Sequence, residues 1–324
     1  MSRFDSRGWL PIRALFRQER VFIDWAHFGD TRLTQPFFRD SVAIAMRMPF
    51  NQAFRRETSA DEMVSISATR ASIEPTAFIF HASRCGSTLM SQMLAALPSH
   101  IVISEPPMLD TLLRAHLYIN GLSAQDQIGY VRALVMALAQ PRAGESRFVV
   151  KLDAWDIFEL PLLRRAFPDT PWIFLYRDPL EIAVSQRRQR GAYMVPGVIG
   201  PSNLMIDAAE AAAMSEEEYI ARMVGRVLQQ GAQMLTQDGG TAVHYNQLPV
   251  AMWSWLAKTF GVNDDPSSRA TLQNAAKWDA KNPYFEFTSD AEAKQKEATP
   301  QLREHINEWA TPHYLELERL RGMQ

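Results

Sequence analysis

The stretch HASRCGSTLMSQML, His81–Leu94, decides the fold of this 324-residue chain. It follows the apolar run TAFIF, so a buried strand leads through a loop of small residues into a helix with one apolar face. Gly86 permits a tight turn that brings backbone amides close to a ligand, and Ser87 and Thr88 add hydroxyl donors. The positive end of the helix dipole favours an anion here, and Arg84 adds a full charge. The stretch predicts a phosphate-binding loop, although a plain strand–turn–helix connection would give the same pattern.

Short apolar runs alternate with longer amphipathic stretches from about residue 76 onward. Several runs (FIF, FVV, WIFLY) do not alternate with polar residues, as expected for strands covered on both faces. The predicted strands are Thr76–His81, Ile101–Ser104, Arg147–Leu152, Pro171–Tyr176 and Thr241–Tyr245. The predicted helices are Thr88–Leu97, Met108–Asn120, Ala124–Ala139, Ile157–Phe167, Leu180–Arg190, Glu216–Leu235, Val250–Phe260 and Thr299–Arg321. This order predicts an α/β fold, a three-layer parallel sheet flanked by helices, with ligands at the carboxyl ends of the strands.

Two segments do not follow this alternation of strands and helices. Residues 1–75 are rich in Arg and Phe and predict a helical or irregular N-terminal extension, which is a candidate contributor to the acceptor site. Residues 76–324 are predicted to form the main domain. Residues 191–214 hold three Gly and two Pro before an Ala-rich helical start. That segment is a candidate lid or acceptor-binding loop, and an ordinary surface excursion fits it equally well.

Composition excludes several classes of protein. A formal net charge of −2 gives no basic field, so we expect no nucleic-acid partner. The single cysteine, Cys85, cannot form an intrachain disulfide and fits a reducing compartment. No apolar run approaches the roughly 18 residues of a membrane span, and the N-terminus shows no secretory signal. We therefore expect a cytoplasmic protein without a membrane partner. The seven histidines show no metal-ligand spacing, so no metal is expected.

A second motif lies about ninety residues beyond the first. The run WIFLYRDPLEIAVSQ, Trp172–Gln186, gives a buried strand, Arg177 at its end, Pro179 in the first helical turn and Ser185 eight residues after the arginine. An arginine and a serine presented together suit a second phosphate group. A capping salt bridge would explain Arg-Asp-Pro alone, but the pairing with the first loop is specific. No lysine precedes Ser87, so a standard P-loop kinase or ATPase is disfavoured.

With both motifs in place, the chain resembles the sulfotransferase family, whose donor is 3′-phosphoadenosine-5′-phosphosulfate. SRCGSTLM looks like the family's 5′-phosphosulfate loop, and RDPLEIAVS looks like its 3′-phosphate motif. The intervening FVVKLDAWDIFELPLLRRAFPDTPWIFLYRD is similar to the family's lysine-bearing strand, helix and turn. The pattern is closest to bacterial sulfotransferases and the tyrosylprotein branch. It covers residues 76–190 well and 241–261 loosely. The resemblance implies adenosine 3′,5′-bisphosphate as product and no required metal.

The resemblance also implies a set of donor-binding residues. It carries over to Ser83, Arg84, Cys85, Gly86, Ser87, Thr88, Arg177 and Ser185, with Lys277 and Lys281 in a C-terminal loop that often closes over the nucleotide. Cys85 lies in an electropositive loop, which would lower the pKa of its thiol, but it has no evident histidine partner, so we interpret it as a small loop residue. We interpret His81 as a strand-end packing residue.

Four residues are candidates for the chemistry. Glu105 ends the strand after the loop helix, and its offset of 21 residues from Arg84 resembles that of the catalytic glutamate in the tyrosylprotein branch. Lys151 matches the family lysine at the transferring group, and Arg84 would neutralise charge on the leaving phosphate. Asp153 is the rival base, because the small-molecule branch carries histidine there. It fits equally well as the cap of a helix near Trp155.

Two other functions stay open at this stage. One is an ATP-dependent kinase-like transferase, and the other is a non-catalytic nucleotide-binding protein of the same fold. The acceptor also stays open, because a fold alone does not define a substrate. We expect either a small molecule or a peptide. The sequence leaves the oligomeric state open, and a homodimer is one option.

Overall fold

The computed structural model describes residues 5–281, 284–285 and 290–324. The strands, in chain order, are β1 Trp9–Arg17, β2 Arg20–His27, β3 Arg56–Ser59, β4 Ala77–His81, β5 His100–Ser104, β6 Arg147–Lys151, β7 Trp172–Tyr176 and β8 Thr241–His244. The helices are α1 Phe38–Ala45, α2 Pro49–Ala53, α3 Ala60–Ser67, α4 Ser87–Ala96, α5 Pro107–Leu113, α6 Ala124–Leu138, α7 Leu160–Ala166, α8 Pro179–Arg188, α9 Ala208–Ala213, α10 Glu216–Asp238, α11 Pro266–Ala275, α12 Ala291–Glu297, α13 Pro300–Trp309 and α14 Thr311–Arg321.

A five-stranded parallel sheet in the order β5-β6-β4-β7-β8 forms the centre of the molecule. Every residue of β4, β5 and β7 is buried, because helices cover both faces of the sheet. All five predicted strands are present, within one residue of their predicted bounds, and the predicted α/β class is confirmed. The non-alternating apolar runs therefore predicted a doubly covered sheet correctly.

Two strand-to-helix turns place the two motifs at the same edge of this sheet. β4 leads into α4 through Gly86, whose φ of 88° is in the left-handed region. β7 leads into α8 through Asp178, whose side chain accepts hydrogen bonds from the backbone amides of Leu180 and Glu181. β4 and β7 are parallel neighbours, so both helices begin at the carboxyl edge.

The N-terminal region differs from its prediction. Instead of helices and loops alone, β1, β2 and β3 form an antiparallel sheet beside α1, α2 and α3. The turn between β1 and β2 consists of Gln18 and Glu19, both at positive φ, without the Asn-Gly or Gly residues that would mark such a hairpin in sequence. Residues 1–4 of the predicted extension lie outside the described residues.

Several predicted helices are shorter or divided. The predicted Ile157–Phe167 is a 3₁₀ helix, Ala154–Glu159, followed by α7, which has Pro161 in its first turn. The predicted Val250–Phe260 is helical only as the 3₁₀ turn Val250–Trp253. The predicted closing helix divides at Ala310 into α13 and α14, with a proline in the first turn of each. Proline lacks an N–H and begins a helix more readily than it continues one.

The candidate lid, residues 191–214, contains a 3₁₀ turn and the short α9. Its backbone is held by Arg114, which donates hydrogen bonds to the carbonyls of Ile199 at 2.6 Å and Pro201 at 2.8 Å. Leu204 of this segment is fully buried. Elsewhere, no helix within the described ranges is long and apolar enough to cross a bilayer.

Candidate active site

Two arginines from motifs far apart in sequence line one cleft at the carboxyl edge of the sheet. Arg84 comes from the loop after β4, and Arg177 follows β7. The cleft has a volume of about 230 Å³. The same cleft is lined by Gly86, Ser87, Thr88, Ser185, Lys281 and Lys294. The structure therefore brings the two predicted phosphate motifs to one positively charged cavity.

The loop after β4 has a strained backbone. Ser83 and Arg84 have φ angles of 61° and 50°, in the left-handed region that non-glycine residues rarely adopt. The Ser83 amide donates a hydrogen bond to His81 Nδ1 at 3.0 Å. Arg84 Nη2 donates to the carbonyl of Gln189 at 2.7 Å. These contacts hold the loop in its strained conformation beside the cleft that Arg84 lines.

Gly86 and Cys85 serve this loop in different ways. A Cβ at Gly86 would lie 2.7 Å from the ring of Tyr245, so the chain passes too close to that ring for any side chain. Cys85 is buried, and its Sγ contacts the carbonyl of Leu175 at 3.2 Å. Burial raises the pKa of this thiol to about 12, which corrects the expectation of a lowered pKa. The Cys85 side chain is thus a packing residue that faces away from the cleft.

Arg177 is held in place by acidic and aromatic neighbours. Its side chain is nearly buried, forms an ion pair with Glu181 and lies 3.2 Å from Asp290. Its guanidinium lies 4.2 Å above the ring of Tyr245. Ser185, two turns into α8, lines the same cleft. An arginine fixed in this way can present its remaining N–H groups to a ligand.

Of the two lysines predicted near the nucleotide, only one lies in the cleft. Lys281 lines the cleft, and burial followed by the charge of Arg84 lowers its pKa. Lys277 is exposed and does not line either cavity defined by the described residues. Lys294, which the sequence did not indicate, is buried in the cleft wall and pairs with Asp290 at 2.8 Å. Its helix sequence, AEAKQKE, contains no motif, so only the fold brings it there.

A second cavity of about 330 Å³ adjoins the cleft, and both are lined by Arg84, Ser87, Thr88 and Lys281. Its remaining walls bring together polar residues from the ends of β4, β5 and β6 and aromatic residues from distant segments. They include His81, Glu105, Asp153, Phe37, Trp155 and Tyr193. The predicted base and its rival thus share one cavity next to the phosphate loop.

Glu105 and Lys151 form a buried ion pair at 2.9 Å. Glu105 has a φ of 51°, and its backbone amide donates to the Lys151 carbonyl at 2.7 Å. Burial alone would raise the pKa of Glu105, but the charge of Lys151 and the imidazole of His81, whose Nε2 lies 3.5 Å from the carboxylate, outweigh it and lower that pKa to about 2. The Lys151 side chain is 0% exposed, and its ammonium lies 4.9 Å from the ring of Phe37.

The pKa of Asp153 is shifted in the opposite direction to that of Glu105. Burial, and then the negative charges of Glu105 and Asp110, raise its pKa well above the usual range. Asp153 also occupies the N-cap position of the 3₁₀ helix, and its amide donates to Asp156 Oδ2 at 3.0 Å. The pKa values of the two carboxyl groups in this cavity are therefore shifted in opposite directions, that of Glu105 downward and that of Asp153 upward.

Fold and site together define a parallel α/β protein with a cationic cleft that continues into a cavity lined by carboxyl groups. No protein-family model and no curated protein matches the sequence.

Several solved structures are similar to the chain, and the three described here are sulfotransferases. One from Alicyclobacillus acidocaldarius is 19% identical over 77% of this chain and 96% of its own, with a TM-score of 0.45. The sulfotransferase domain of the curacin biosynthetic pathway is 15% identical over 78% of this chain and 98% of its own, with a TM-score of 0.45. Mouse sulfotransferase SULT7A1 complexed with PAP is 12% identical over 78% of this chain and 90% of its own, with a TM-score of 0.40. Likeness at this level does not by itself assign a function.

Proposed function

We propose that this protein transfers a sulfuryl group from 3′-phosphoadenosine-5′-phosphosulfate to a hydroxyl or amine acceptor. The observation that carries the proposal is the single cleft lined by both Arg84 and Arg177. A nucleotide with phosphate groups at both ends needs two separate cationic positions facing one cavity. The cleft supplies them, together with the N-terminal amides of α4.

Each end of the donor has its own residues in this proposal. The amides and hydroxyls of residues 83–88, with Arg84 and Lys281, hold the phosphosulfate. Arg177 and Ser185 hold the 3′-phosphate, and Lys294 adds a cation that the motif did not include. Tyr245, whose ring lies 4.2 Å from the guanidinium of Arg177, also lines the cleft and forms one wall of the nucleotide site in this proposal.

In the transfer step, the acceptor oxygen or nitrogen forms a bond to sulfur while the bond from sulfur to the phosphate oxygen breaks. Glu105 takes the acceptor proton, and Arg84 offsets the charge that moves onto the leaving phosphate. Lys151 is fully buried and lines neither cavity, so in this proposal it acts through its ion pair with Glu105. Glu105 is favoured over Asp153 because the charge of Lys151 lowers the pKa of Glu105 and so favours its ionised form, whereas burial shifts the pKa of Asp153 the opposite way and its side chain also caps the 3₁₀ helix. The negative charge of the bound donor would raise the pKa of Glu105 from its low value and strengthen it as a base.

Calorimetric titration with adenosine 3′,5′-bisphosphate in the presence of a chelator tests the donor site. We expect binding without metal, and a loss of about 10- to 100-fold in affinity for Arg177→Ala, because a hydrogen bond to a charged group is worth about 1.5–3 kcal/mol. Ser185→Ala should lose less. Arg188→Ala is the matched control, since this exposed arginine of the same helix pairs with Glu297 outside the cleft.

Three results would contradict the proposal in distinct ways. Unchanged affinity in Arg177→Ala would remove the 3′-phosphate assignment. Stabilisation by ATP and Mg²⁺ but not by the bisphosphate would indicate a kinase. Bisphosphate binding without sulfated product from any acceptor in a cell extract would indicate a non-catalytic nucleotide-binding protein.

A further inference from the structure

His81, the last residue of β4, has two ring nitrogens that meet two different parts of the site. Nδ1 accepts a hydrogen bond from the backbone amide of Ser83 at 3.0 Å. Nε2 lies 3.5 Å from Oε1 of Glu105. The His81 side chain is only 5% exposed, although it lines the same cavity as Glu105. One buried ring therefore contacts both the phosphate loop and the proposed base.

The contact with Ser83 determines where the imidazole carries its proton. A nitrogen that accepts a hydrogen bond has no proton of its own, so the neutral ring is protonated on Nε2. Burial lowers the pKa of His81 despite the neighbouring carboxylate of Glu105, and this favours the neutral ring. The distance of 3.5 Å is longer than that of a charge-assisted hydrogen bond, about 2.7–2.9 Å, and catalytic hydrogen bonds are often long until the substrate is bound.

The His81 ring joins two segments that are not neighbours in the sheet. β6 lies between β4 and β5, so the loop after β4 and the end of β5 are separated by one strand. Lys151, the last residue of β6, pairs in register with Ile79 on one side and Ser104 on the other. His81 follows Ile79 by two residues. Glu105 directly follows Ser104, and the side chains of His81 and Glu105 meet across the end of β6.

Both residues that the ring contacts have strained backbone. Ser83 and Glu105 have φ angles of 61° and 51°, in the left-handed region. Such conformations persist where surrounding contacts hold them, and they are concentrated at functional sites. Packing at the end of a strand would need neither ring nitrogen, whereas each contact here uses a different one.

We propose that His81 is a positioning residue that links the donor loop to the base. Its Nδ1 holds the loop through the Ser83 amide, and its Nε2–H orients the Glu105 carboxylate. The inference rests on the proposed sulfuryl transfer. In that step the acceptor proton passes to Glu105 as the acceptor atom bonds to sulfur and the bond from sulfur to the phosphate oxygen breaks, while His81 keeps its own proton. This role goes beyond the packing that the sequence predicted for His81.

Two substitutions separate the functions of the two nitrogens. His81→Asn places an amide oxygen near the former Nδ1, where it can accept from the Ser83 amide, but the side chain is too short to reach Glu105. We expect kcat to fall about 10-fold, as for the loss of a hydrogen bond to a charged group, and bisphosphate affinity to stay within about twofold. His81→Gln places an amide N–H near the former Nε2 and leaves the Ser83 amide unpaired. We expect it to weaken bisphosphate binding about fivefold and to keep most of kcat.

Affinity is measured by calorimetry with the bisphosphate. Turnover is measured as transfer of labelled sulfate, at saturating donor, to the acceptor that the cell extract yields. His100 is the matched control, because it is also buried and its two nitrogens contact Ser99 Oγ and the Phe260 carbonyl, each at 2.9 Å, at the amino end of β5. His100→Asn and His100→Gln should lower thermal stability without changing affinity or kcat.

The ring of His81 is also tested in the intact protein by ¹⁵N NMR of the histidine side chains, assigned from the backbone. At neutral pH we expect a neutral ring protonated on Nε2, and a proton on Nδ1 would overturn the inference even if neither variant folds. If the wild type binds the bisphosphate and sulfates an acceptor, but both variants lower the same parameter alike, the inference is wrong while the proposed function stands. If the wild type does not bind the bisphosphate, or binds it without transfer, the proposed function fails and the inference fails with it.

Discussion

At the scale of single residues, backbone strain coincides with the candidate site. Five non-glycine residues of the described chain have positive φ. Two of them, Gln18 and Glu19, form the hairpin turn, while Ser83, Arg84 and Glu105 line the cavity that adjoins the cleft. Such conformations cost about 1–3 kcal/mol each and persist where the surrounding structure holds them. The sequence indicated these site residues by their motifs, but their φ angles come from packing.

The pair of Glu105 with Lys151 yields a prediction about stability. Glu105→Gln leaves the fully buried ammonium of Lys151 without its counter-charge, and we expect the free energy of unfolding to fall by about 3 kcal/mol at pH 7. Adding Lys151→Met should restore most of that loss, since the uncompensated charge is gone. Urea unfolding of the wild type, both single variants and the double variant measures this. A single-variant cost near zero would contradict the buried pair.

The pH dependence of the same pair has a definite sign. The pKa of Glu105 falls from 4.5 to about 2 on folding, so this group stabilises the fold above pH 4.5 and loses that contribution as the pH falls towards 2. The difference in the free energy of unfolding between the wild type and Glu105→Gln should therefore become smaller as the pH falls from 4.5 to 2. Bisphosphate affinity of Glu105→Gln should stay close to wild type at neutral pH, whereas its turnover should be largely lost.

At the scale of elements, the turn from β4 into α4 depends on one glycine. Gly86→Ala places a methyl group 2.7 Å from Tyr245 at a φ of 88°, whereas Gly144→Ala meets nothing within 4 Å at a φ of 87°. Both variants have the left-handed strain of about 1–2 kcal/mol, but only Gly86→Ala must displace the ring. We expect it to be the less stable of the two and to lose bisphosphate affinity, by thermal unfolding and calorimetry. Equal effects would show that the contact with Tyr245 is unimportant.

The elements also show where sequence patterns failed. The strands of the parallel sheet were predicted because continuous burial selects continuous apolar runs, as in WIFLY. The N-terminal strands were missed because β1, WLPIRALFR, mixes buried and exposed positions without alternation and includes a register shift after Pro11. A bulge interrupts the period of two that identifies a half-buried strand.

At the scale of the whole molecule, the N-terminal sheet is part of the main fold. Leu10, Ile23 and Trp25 belong to the same apolar cluster as Phe78 and Phe80 of the central sheet. The predicted division at residue 75 therefore marks a change of architecture within a shared core. Two layers that share one core are expected to unfold together.

This shared core predicts one cooperative transition. Differential scanning calorimetry of the intact chain should give a single peak whose van't Hoff and calorimetric enthalpies agree, and the bisphosphate should shift the whole peak upward. A chain that lacks residues 5–75 should not fold, because the apolar surface of the central sheet would be exposed. A separate low-temperature transition in the intact protein, unaffected by the bisphosphate, would contradict the shared core.

The sequence by itself determined the parallel sheet and both phosphate motifs, because a buried strand, a small-residue turn and a helix start are local patterns. It also indicated Glu105, Lys151 and Asp153 as residues at strand ends. Only the tertiary structure shifts the pKa values of Glu105 and Asp153 in opposite directions, because a pKa depends on burial and on charges from other segments. The positions of Lys294, Phe37 and Lys277 likewise depend on how distant segments pack. The sequence therefore did not predict that Lys294 and Phe37 line the site, and it wrongly placed Lys277 there.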